Sequence, residues 1–266
     1  MKCKEVIKFN EYYLIIYDTY HYPDFDLDKI ISFIKKNFLS FTILKREDFF
    51  VSSIDQSKIK NIAERFSKIR VKDRKRKIKE DEVIYPVEIE YEEKRLKGEI
   101  KKHGVIYDGF EFQDICKGLI KRKEMKINFV NIILTNQLIA TFDENDKSYH
   151  LRVIILGQPN IISTTGIIEA LAKPREYYFK LQLGYDRFNL KKEFGDKIID
   201  YEDRRITDIL KVYFSQAIFY NIFGEVFCDD KKCKLYNFHW QQEIISHLES
   251  GTDFCEKHFN LIKKCF

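Results

Sequence analysis

The spacing of hydrophobic positions along the chain predicts strands and helices in alternation. Short apolar runs rich in β-branched and aromatic residues predict strands at residues 12–17, 41–44 and 129–135. The run at 129–135 is almost continuously apolar, which is typical of a strand that is buried on both faces. Two further strands are predicted at residues 149–156 and 161–166.

Apolar residues at helical spacing predict the helices. The first predicted helix follows a cap at Asp26 and carries the apolar positions Leu27, Ile30, Ile31, Ile34 and Phe38. Shorter helices are predicted at residues 57–69 and 237–249. The longest is predicted at residues 202–223, with Gly224 placed to end it in a left-handed conformation. This succession predicts an α/β fold with a mixed β-sheet and helices.

Changes in composition divide the chain into segments. Its 266 residues suit one large α/β domain or two small ones. We predict an N-terminal α/β segment, a charged hairpin or loop, a core with the long helix, and a metal-binding C-terminal subdomain. These segments are residues 1–71, 72–102, 103–224 and 225–266, respectively.

Charge gives little indication of a partner. The formal net charge of +5 is small for a chain of this length. A basic run begins at Lys72 and ends at Lys79, and an acidic run follows at residues 88–93. The basic run could contact nucleic acid. Runs of this kind are more often solvated loops, however, and no aromatic residues are interleaved here to stack on bases.

The cysteine content bears on the cellular compartment. The sequence contains no apolar run of about 18 residues, so we expect a cytoplasmic protein without a membrane partner. Disulfides are rare in the cytoplasm. The six cysteines are therefore expected to be thiols or metal ligands.

Four residues near the C-terminus have the spacing of a zinc site. Cys228 and Cys233 form one close pair, and Cys255 and His258 form a second. Two close pairs separated by a loop of about twenty residues are the usual arrangement of a tetrahedral Cys₃His zinc site. Thiolates and neutral imidazole suit zinc better than calcium or magnesium. Four protein ligands leave no position for water, so we expect one structural zinc ion.

The identity of the fourth ligand stays open at this point. His239 or His247 could replace His258, although both are expected to be surface or capping residues on the helix predicted at 237–249. The remaining cysteines have no partner at ligand spacing. They are interpreted as plain thiols and are Cys3, Cys116 and Cys265.

The long helix and the cysteines together resemble the archaemetzincins, a family of zinc metallopeptidases. Archaemetzincins carry His-Glu-x-x-His-x-x-Gly-x-x-His, followed at once by Cys-x₄-Cys and later by Cys-x-x-Cys. Here the corresponding run is Ala217-Ile-Phe-Tyr-Asn221-Ile-Phe-Gly224-Glu-Val-Phe227-Cys228. The resemblance covers residues 125–262. Within it, residues 152–178 and 236–241 also look like an archaeal group described only as candidate metallopeptidases. It implies a metzincin-type, or zincin-like, core.

The helix departs from the pattern where the resemblance would place the catalytic residues. Ala217 and Ile218 occupy the positions of the first histidine and the general-base glutamate. Asn221 and Phe227 occupy the positions of the other two histidines. A catalytic zinc needs about three protein ligands, an open position for water and a carboxylate to accept its proton. We therefore expect no peptidase activity of the metzincin type.

Three functions follow as hypotheses. The first is an inactive relative that binds a peptide or protein partner along an edge strand by strand addition. The second is a hydrolase with relocated residues, for which the candidates are Glu169, Arg175 and Glu176. The third is a nucleic-acid-associated factor that uses the basic run. His150, alone on an apolar strand, is interpreted as a hydrogen-bonded core histidine. The sequence does not predict an oligomeric state.

Overall fold

The computed structural model describes residues 11–18, 24–79, 83–100 and 104–266. The strands are β1 (Tyr12–Tyr17), β2 (Phe41–Arg46), β3 (Ile106–Asp108), β4 (Phe129–Thr135), β5 (Leu138–Asp143), β6 (Ser148–Arg152), β7 (Ile154–Ile155) and β8 (Asn160–Ser163). The N-terminal helices are α1 (Leu27–Asn37), α2 (Phe49–Ser53), α3 (Ile59–Lys68), α4 (Pro86–Leu96) and α5 (Gly109–Lys117). The C-terminal helices are α6 (Gly166–Glu169), α7 (Arg175–Gln182), α8 (Arg187–Phe194), α9 (Ile206–Phe223), α10 (Gln241–Ser250) and α11 (Glu256–Cys265).

The larger sheet has the strand order β2-β1-β4-β8-β7. Its first four strands are parallel, and β7 pairs with β8 in the antiparallel direction at the edge. A smaller sheet has the order β3-β5-β6, with β3 parallel and β6 antiparallel to β5. Both sheets are therefore mixed, which confirms the predicted α/β class with a mixed sheet.

Helices cover the larger sheet on both faces. Along β1, Leu14 and Ile16 join a core cluster that includes α1 and α9, whereas Ile15 and Tyr17 join a second cluster with α3 and α5. The strand period of two residues produces this division between faces. The burial of β4 on both faces, predicted from its continuous apolar run, is confirmed.

Helix α9 lies in the interior of the protein and positions the C-terminal segment. The prediction of a helix from residue 202 is wrong by one turn, since the preceding residues form turns and α9 begins at Ile206. It ends at Gly224, whose φ of 66° places it in the left-handed region that glycine adopts without strain. Leu235, Ile244 and Ile262 of the C-terminal segment belong to the same core cluster as α9.

The strand predicted at residues 149–156 is two strands in different sheets. β6 pairs with β5, and after Val153 the chain turns so that β7 pairs with β8. The Val153 carbonyl accepts a hydrogen bond from the Ser163 backbone N–H at 2.8 Å, which holds this crossing in place. The apolar run could not reveal the change of partner, because both strands bury similar residues.

Part of the segment predicted as a charged hairpin or loop is helical instead. Helix α4 begins with Pro86, and Glu88 accepts a hydrogen bond from the Tyr85 backbone N–H at 2.9 Å, as in a capping box. Glu92 and Leu96 are buried on the inner face of α4. Burial of one face therefore favours a helix here despite the high charge.

The candidate residues Arg175 and Glu176 are the first two residues of α7, and Pro174 stands directly before them. Cys3 lies outside the described residues. The division into four segments stays a prediction. Within the part of the chain that the structure describes, no helix is long and apolar enough to span a membrane.

Candidate metal centre and adjoining groove

Local structure brings each ligand pair together before the tertiary fold unites them. Cys228 and Cys233 flank a turn in which the Cys233 backbone N–H donates to the Asp230 carbonyl at 2.9 Å. Cys255 caps α11, and His258 is the third residue of that helix. Residues at the cap and the third helical position lie on the same side of a helix, so Cys255 Sγ and His258 Nδ1 are 3.0 Å apart.

The four ligand atoms form one compact group. The ligand atoms of Cys228, Cys233, Cys255 and His258 all lie within 4.8 Å of one another. Cys228 Sγ is 3.9 Å from Cys255 Sγ, and Cys233 Sγ is 3.4 Å from His258 Nδ1. Zinc–sulfur bonds of about 2.3 Å and zinc–nitrogen bonds of about 2.0 Å at tetrahedral angles give sulfur–sulfur separations of about 3.8 Å and sulfur–nitrogen separations of about 3.5 Å. The first two separations match a tetrahedral Zn²⁺, and the 3.0 Å between Cys255 Sγ and His258 Nδ1 would have to lengthen slightly around the ion.

The second nitrogen of His258 is held by a carboxylate. His258 Nε2 lies 3.2 Å from Glu225 Oε2, and Lys257 Nζ donates to the same oxygen at 2.9 Å. Burial opposes ionisation of Glu225, but the bonds from Lys257 and His258 lower its pKa. A carboxylate that accepts from Nε2 fixes the ring so that Nδ1 faces the sulfur atoms, as in the outer shell of many zinc sites. Ligand spacing in the sequence gives no sign of this role for Glu225, because Glu225 does not bind the metal itself.

In the absence of a metal, burial keeps Cys233 and His258 neutral. Burial, together with the neighbouring thiols, raises the pKa of Cys233 to about 12. Burial lowers the pKa of His258, which keeps the imidazole neutral. A divalent metal supplies the positive charge that stabilises adjacent thiolates, and it binds neutral imidazole. The donor set is therefore suited to zinc and is poorly explained as a set of unrelated thiols.

The two alternative histidines lie outside this group. His239 is exposed just before α10, and its backbone N–H donates to Glu243. His247 is buried on α10 with its ring 5.1 Å from that of Phe238, so the expectation of a surface or capping histidine is wrong for His247. The structure therefore places His258, and neither alternative, beside the three cysteines. Cys116 is a buried core thiol whose pKa burial raises.

The positions that resemble the catalytic motif carry packing residues. Ala217 and Ile218 are completely buried in the core. Asn221 Nδ2 donates to the Ala217 carbonyl at 2.8 Å and to Asn160 Oδ1 at 3.1 Å, which ties α9 to β8. Phe227 is 46% exposed and faces a groove. None of these four residues has a side chain of the metal-binding types that form the Cys₃His group.

A second cluster of possible ligands lies in the turn between β5 and β6. It comprises Asp143, Asp146 and His150. Asp143 and Asp146 cap local turns through the backbone N–H groups of Asn145 and Ser148, and His150 Nε2 lies 2.6 Å from Asp146. The His150 side chain is 41% exposed, so its interpretation as a core histidine is wrong although its hydrogen bonding was expected.

An elongated groove separates the edge strand from α9. Its cavity measures about 390 Å³ and is lined by Ile154, Leu156, Tyr213, Gln216, Phe227 and Phe238, among others. Gln216 is almost fully buried and donates through Nε2 to the Tyr236 carbonyl at 3.1 Å. Its side-chain oxygen has no hydrogen-bond donor among the described residues. A buried acceptor without a donor therefore belongs to a residue of the groove wall.

The candidate residues for a relocated hydrolase are separated. Glu169 lines a cavity of about 570 Å³ and accepts a hydrogen bond from the Tyr201 hydroxyl at 3.0 Å. Arg175 and Glu176 are exposed in the first turn of α7, and the described wall of this cavity contains neither. Their proximity in sequence was misleading, because α7 directs them away from Glu169 and toward solvent.

The basic run is partly neutralised by its own neighbourhood. Lys72 lies 3.0 Å from Glu88, and Lys77 lies 2.6 Å from Glu144. These pairs reduce the positive charge that this segment offers to a polyanion.

Comparisons with known proteins place the chain among metallopeptidase-type sequences. The model of the "probable metallopeptidase family (DUF6775)" matches residues 10–265. A search of solved structures matches the crystal structure of archaemetzincin from Methanopyrus kandleri. That match has 9% sequence identity and a TM-score of 0.45, and it covers 96% of this chain and 95% of that chain. Among curated proteins no match is found.

Proposed function

This chain belongs to the probable metallopeptidase family. We propose that it is a catalytically inactive member that binds peptides in the groove beside α9. One structural zinc, held by the Cys₃His group, stabilises the C-terminal segment that completes this groove. The observation that carries the proposal is the contrast between an assembled four-ligand site and the packing residues at the motif positions of α9. Membership of the family was expected from the sequence and is confirmed.

The zinc would supply structure without chemistry. With four protein ligands it has no open position for water, so it cannot generate a nucleophile. The rings of His258 and Phe219 of α9 pack with their centroids 5.3 Å apart. The ring of Phe254 also packs against that of Phe219, with the centroids 5.7 Å apart. The metal would thereby fix the C-terminal segment, and with it Phe227 and Phe238 of the groove wall, against α9.

Two features of the groove support a peptide as its ligand. First, β7 is the terminal strand of its sheet, and an extended peptide can pair with such an edge through main-chain hydrogen bonds. Second, Gln216 lines the groove, and its buried side-chain oxygen lacks a donor among the described residues, so a peptide N–H that reached it would supply one. The apolar wall offers contact surface for alternate side chains of the same peptide.

Binding and hydrolysis of one peptide test this proposal together. The probe is a rhodamine-labelled eight-residue peptide of alternating valine and threonine, followed by fluorescence anisotropy for binding and by mass spectrometry for cleavage. We expect binding without cleavage. Phe227→Ser should weaken binding about tenfold, because it removes an aromatic contact from the groove. Gln216→Met should weaken it as well.

The matched control is Phe259→Ser. Phe227 and Phe259 are almost equally exposed, at 46% and 45%, but Phe259 lies on α11 away from the groove. This variant should retain the affinity of the unaltered chain, and zinc content confirms that each variant is folded. Cleavage of the peptide would refute inactivity, and equal affinity of both phenylalanine variants would refute binding in the groove. If cleavage is found, its loss in Glu169→Gln would support the relocated hydrolase instead.

A further inference from the structure

A basic cavity lies next to the groove. The cavity of about 570 Å³ that contains Glu169 shares four of its lining residues with the groove. The shared residues are Leu151, Arg152, Ala170 and His239. The groove and the cavity are therefore adjacent, and these four residues lie at their junction.

Cations outnumber carboxylates in this cavity. Its cationic residues are Arg74, Arg152, Lys173, Arg187 and Lys191, and its carboxylates are Glu169 and Asp200. Arg187 lies 4.0 Å from Glu169, and Lys191 lies 3.3 Å from Asp200. Each of the two carboxylates in the described wall is therefore already paired with a cation.

The other three cations bind only neutral acceptors among the described residues. Arg74 Nε donates to the Tyr149 carbonyl at 3.1 Å, and Arg152 Nε donates to the Thr141 hydroxyl at 2.8 Å. Each guanidinium has five N–H donors in a planar fork that matches a carboxylate. The cavity therefore has an excess of positive charge that an anionic group would complement.

Lys173 is the most telling of these cations because it is buried. Only 8% of its surface is exposed, and Nζ donates to the Ile168 carbonyl at 2.8 Å. The ring of Tyr177 lies 5.5 Å from Nζ. Burial lowers the pKa of Lys173, although Glu169 and Asp200 oppose this effect. A buried ammonium group is costly unless it is paired, and a ligand carboxylate would pair with it.

We infer that the groove selects acidic peptides, with the peptide backbone and apolar side chains along β7 and α9 and a carboxylate of the peptide in the basic cavity. This inference rests on the proposed peptide binding and adds its specificity. Arg152 lines both parts of the site, so it would contact the ligand where the groove meets the cavity.

The experiment compares three rhodamine-labelled peptides on the full-length, zinc-loaded protein. One is the neutral valine–threonine peptide, and the others carry three added glutamates at the N-terminal or the C-terminal end. We expect one acidic peptide to bind at least about tenfold more tightly than the neutral one at low salt, with the gain reduced by added salt. Arg152→Gln and Lys173→Met should each lower the affinity for the acidic peptide to about that of the unaltered protein for the neutral peptide.

Lys192→Gln is the matched control, since it removes the same charge from an exposed position on α8 outside the described cavity wall. The exposed Arg152 variant keeps the test valid if the Lys173 variant does not fold. Equal affinity for all three peptides, with sensitivity to Phe227→Ser, would overturn the acidic specificity and leave peptide binding standing. A gain that Lys192→Gln removes as fully as Arg152→Gln would also overturn it. Failure of every peptide to bind would overturn both proposals.

Discussion

Replacement of Cys233 by serine measures what the metal centre contributes to stability. Cys233 is completely buried, and it lies 22 positions before Cys255, so the metal would close the loop between them. Closing a loop of this length by a cross-link stabilises a protein by about 3 kcal/mol through the entropy of the unfolded chain. Since 1 kcal/mol shifts the Tm of a domain of this size by about 2–4 °C, loss of the link should lower the Tm by about 6–12 °C.

The assay combines zinc content per chain, by inductively coupled plasma mass spectrometry, with thermal unfolding followed by circular dichroism. The unaltered protein should contain one zinc per chain, and Cys233→Ser should contain none. A chelator should lower the Tm of the unaltered protein by a similar amount and leave the Tm of Cys233→Ser unchanged. This second measurement separates metal loss from the cost of burying a serine hydroxyl.

Two control variants define the result that would refute this reasoning. Cys265→Ala removes a cysteine outside the ligand group, and Asp146→Asn alters the second cluster of possible ligands. Both should retain one zinc per chain. Full zinc content in Cys233→Ser would show that the metal is bound elsewhere. Zinc loss without a fall in Tm beyond that of Cys265→Ala would show that the metal does not stabilise the fold.

Two further predictions concern buried carboxylates that are paired with arginine. Glu92 is completely buried and bonds Arg95 at 2.7 Å, so Glu92→Gln should lower the free energy of unfolding by about 3–5 kcal/mol because Arg95 is left unpaired. Glu90→Gln, at an exposed position, should change the free energy of unfolding measured in urea by less than about 0.5 kcal/mol. Similar losses of this free energy in both variants would refute the explanation. The hydrogen bonds from Arg46 lower the pKa of Glu124 below its ordinary value of 4.5. The ionised Glu124 therefore stabilises the fold above pH 4.5, and this stabilisation is lost as the pH falls through the lowered pKa. The fall in Tm on acidification should accordingly be smaller in Glu124→Gln than in the unaltered protein.

Local features of the sequence were sufficient to predict much of the fold. Strands β1 and β4 have the predicted bounds, and Asp26 caps α1 as expected, accepting from the Lys29 backbone N–H at 2.9 Å. These elements depend on apolar periodicity and on hydrogen bonds between residues a few positions apart. Helix α4 was missed for the complementary reason. Its acidic residues suggested a solvated loop, and only packing shows that Glu92 is buried beside Arg95.

The candidate metal site likewise has features that the sequence predicts and features that only the fold determines. Sequence spacing alone identified the two ligand pairs, because Cys228 with Cys233 and Cys255 with His258 each lie within one short turn. The absence of catalytic ligands from the long helix, which the resemblance to the archaemetzincins implies, stays a prediction. The choice of His258 over His239 and His247 required the fold, since all three are close enough in sequence to reach a metal.

Only the tertiary structure determines the groove and the basic cavity. Arg74, Arg152 and Lys173 come from a loop, a strand and a segment between two helices, and no short-range pattern relates them. Their convergence depends on the order of strands in two sheets and on the crossing of the chain at Val153 from one sheet to the other. Hydrogen bonds and ligand spacing between near neighbours can be predicted from the sequence. Contacts between distant segments exist only once the sheets have formed and the core has packed.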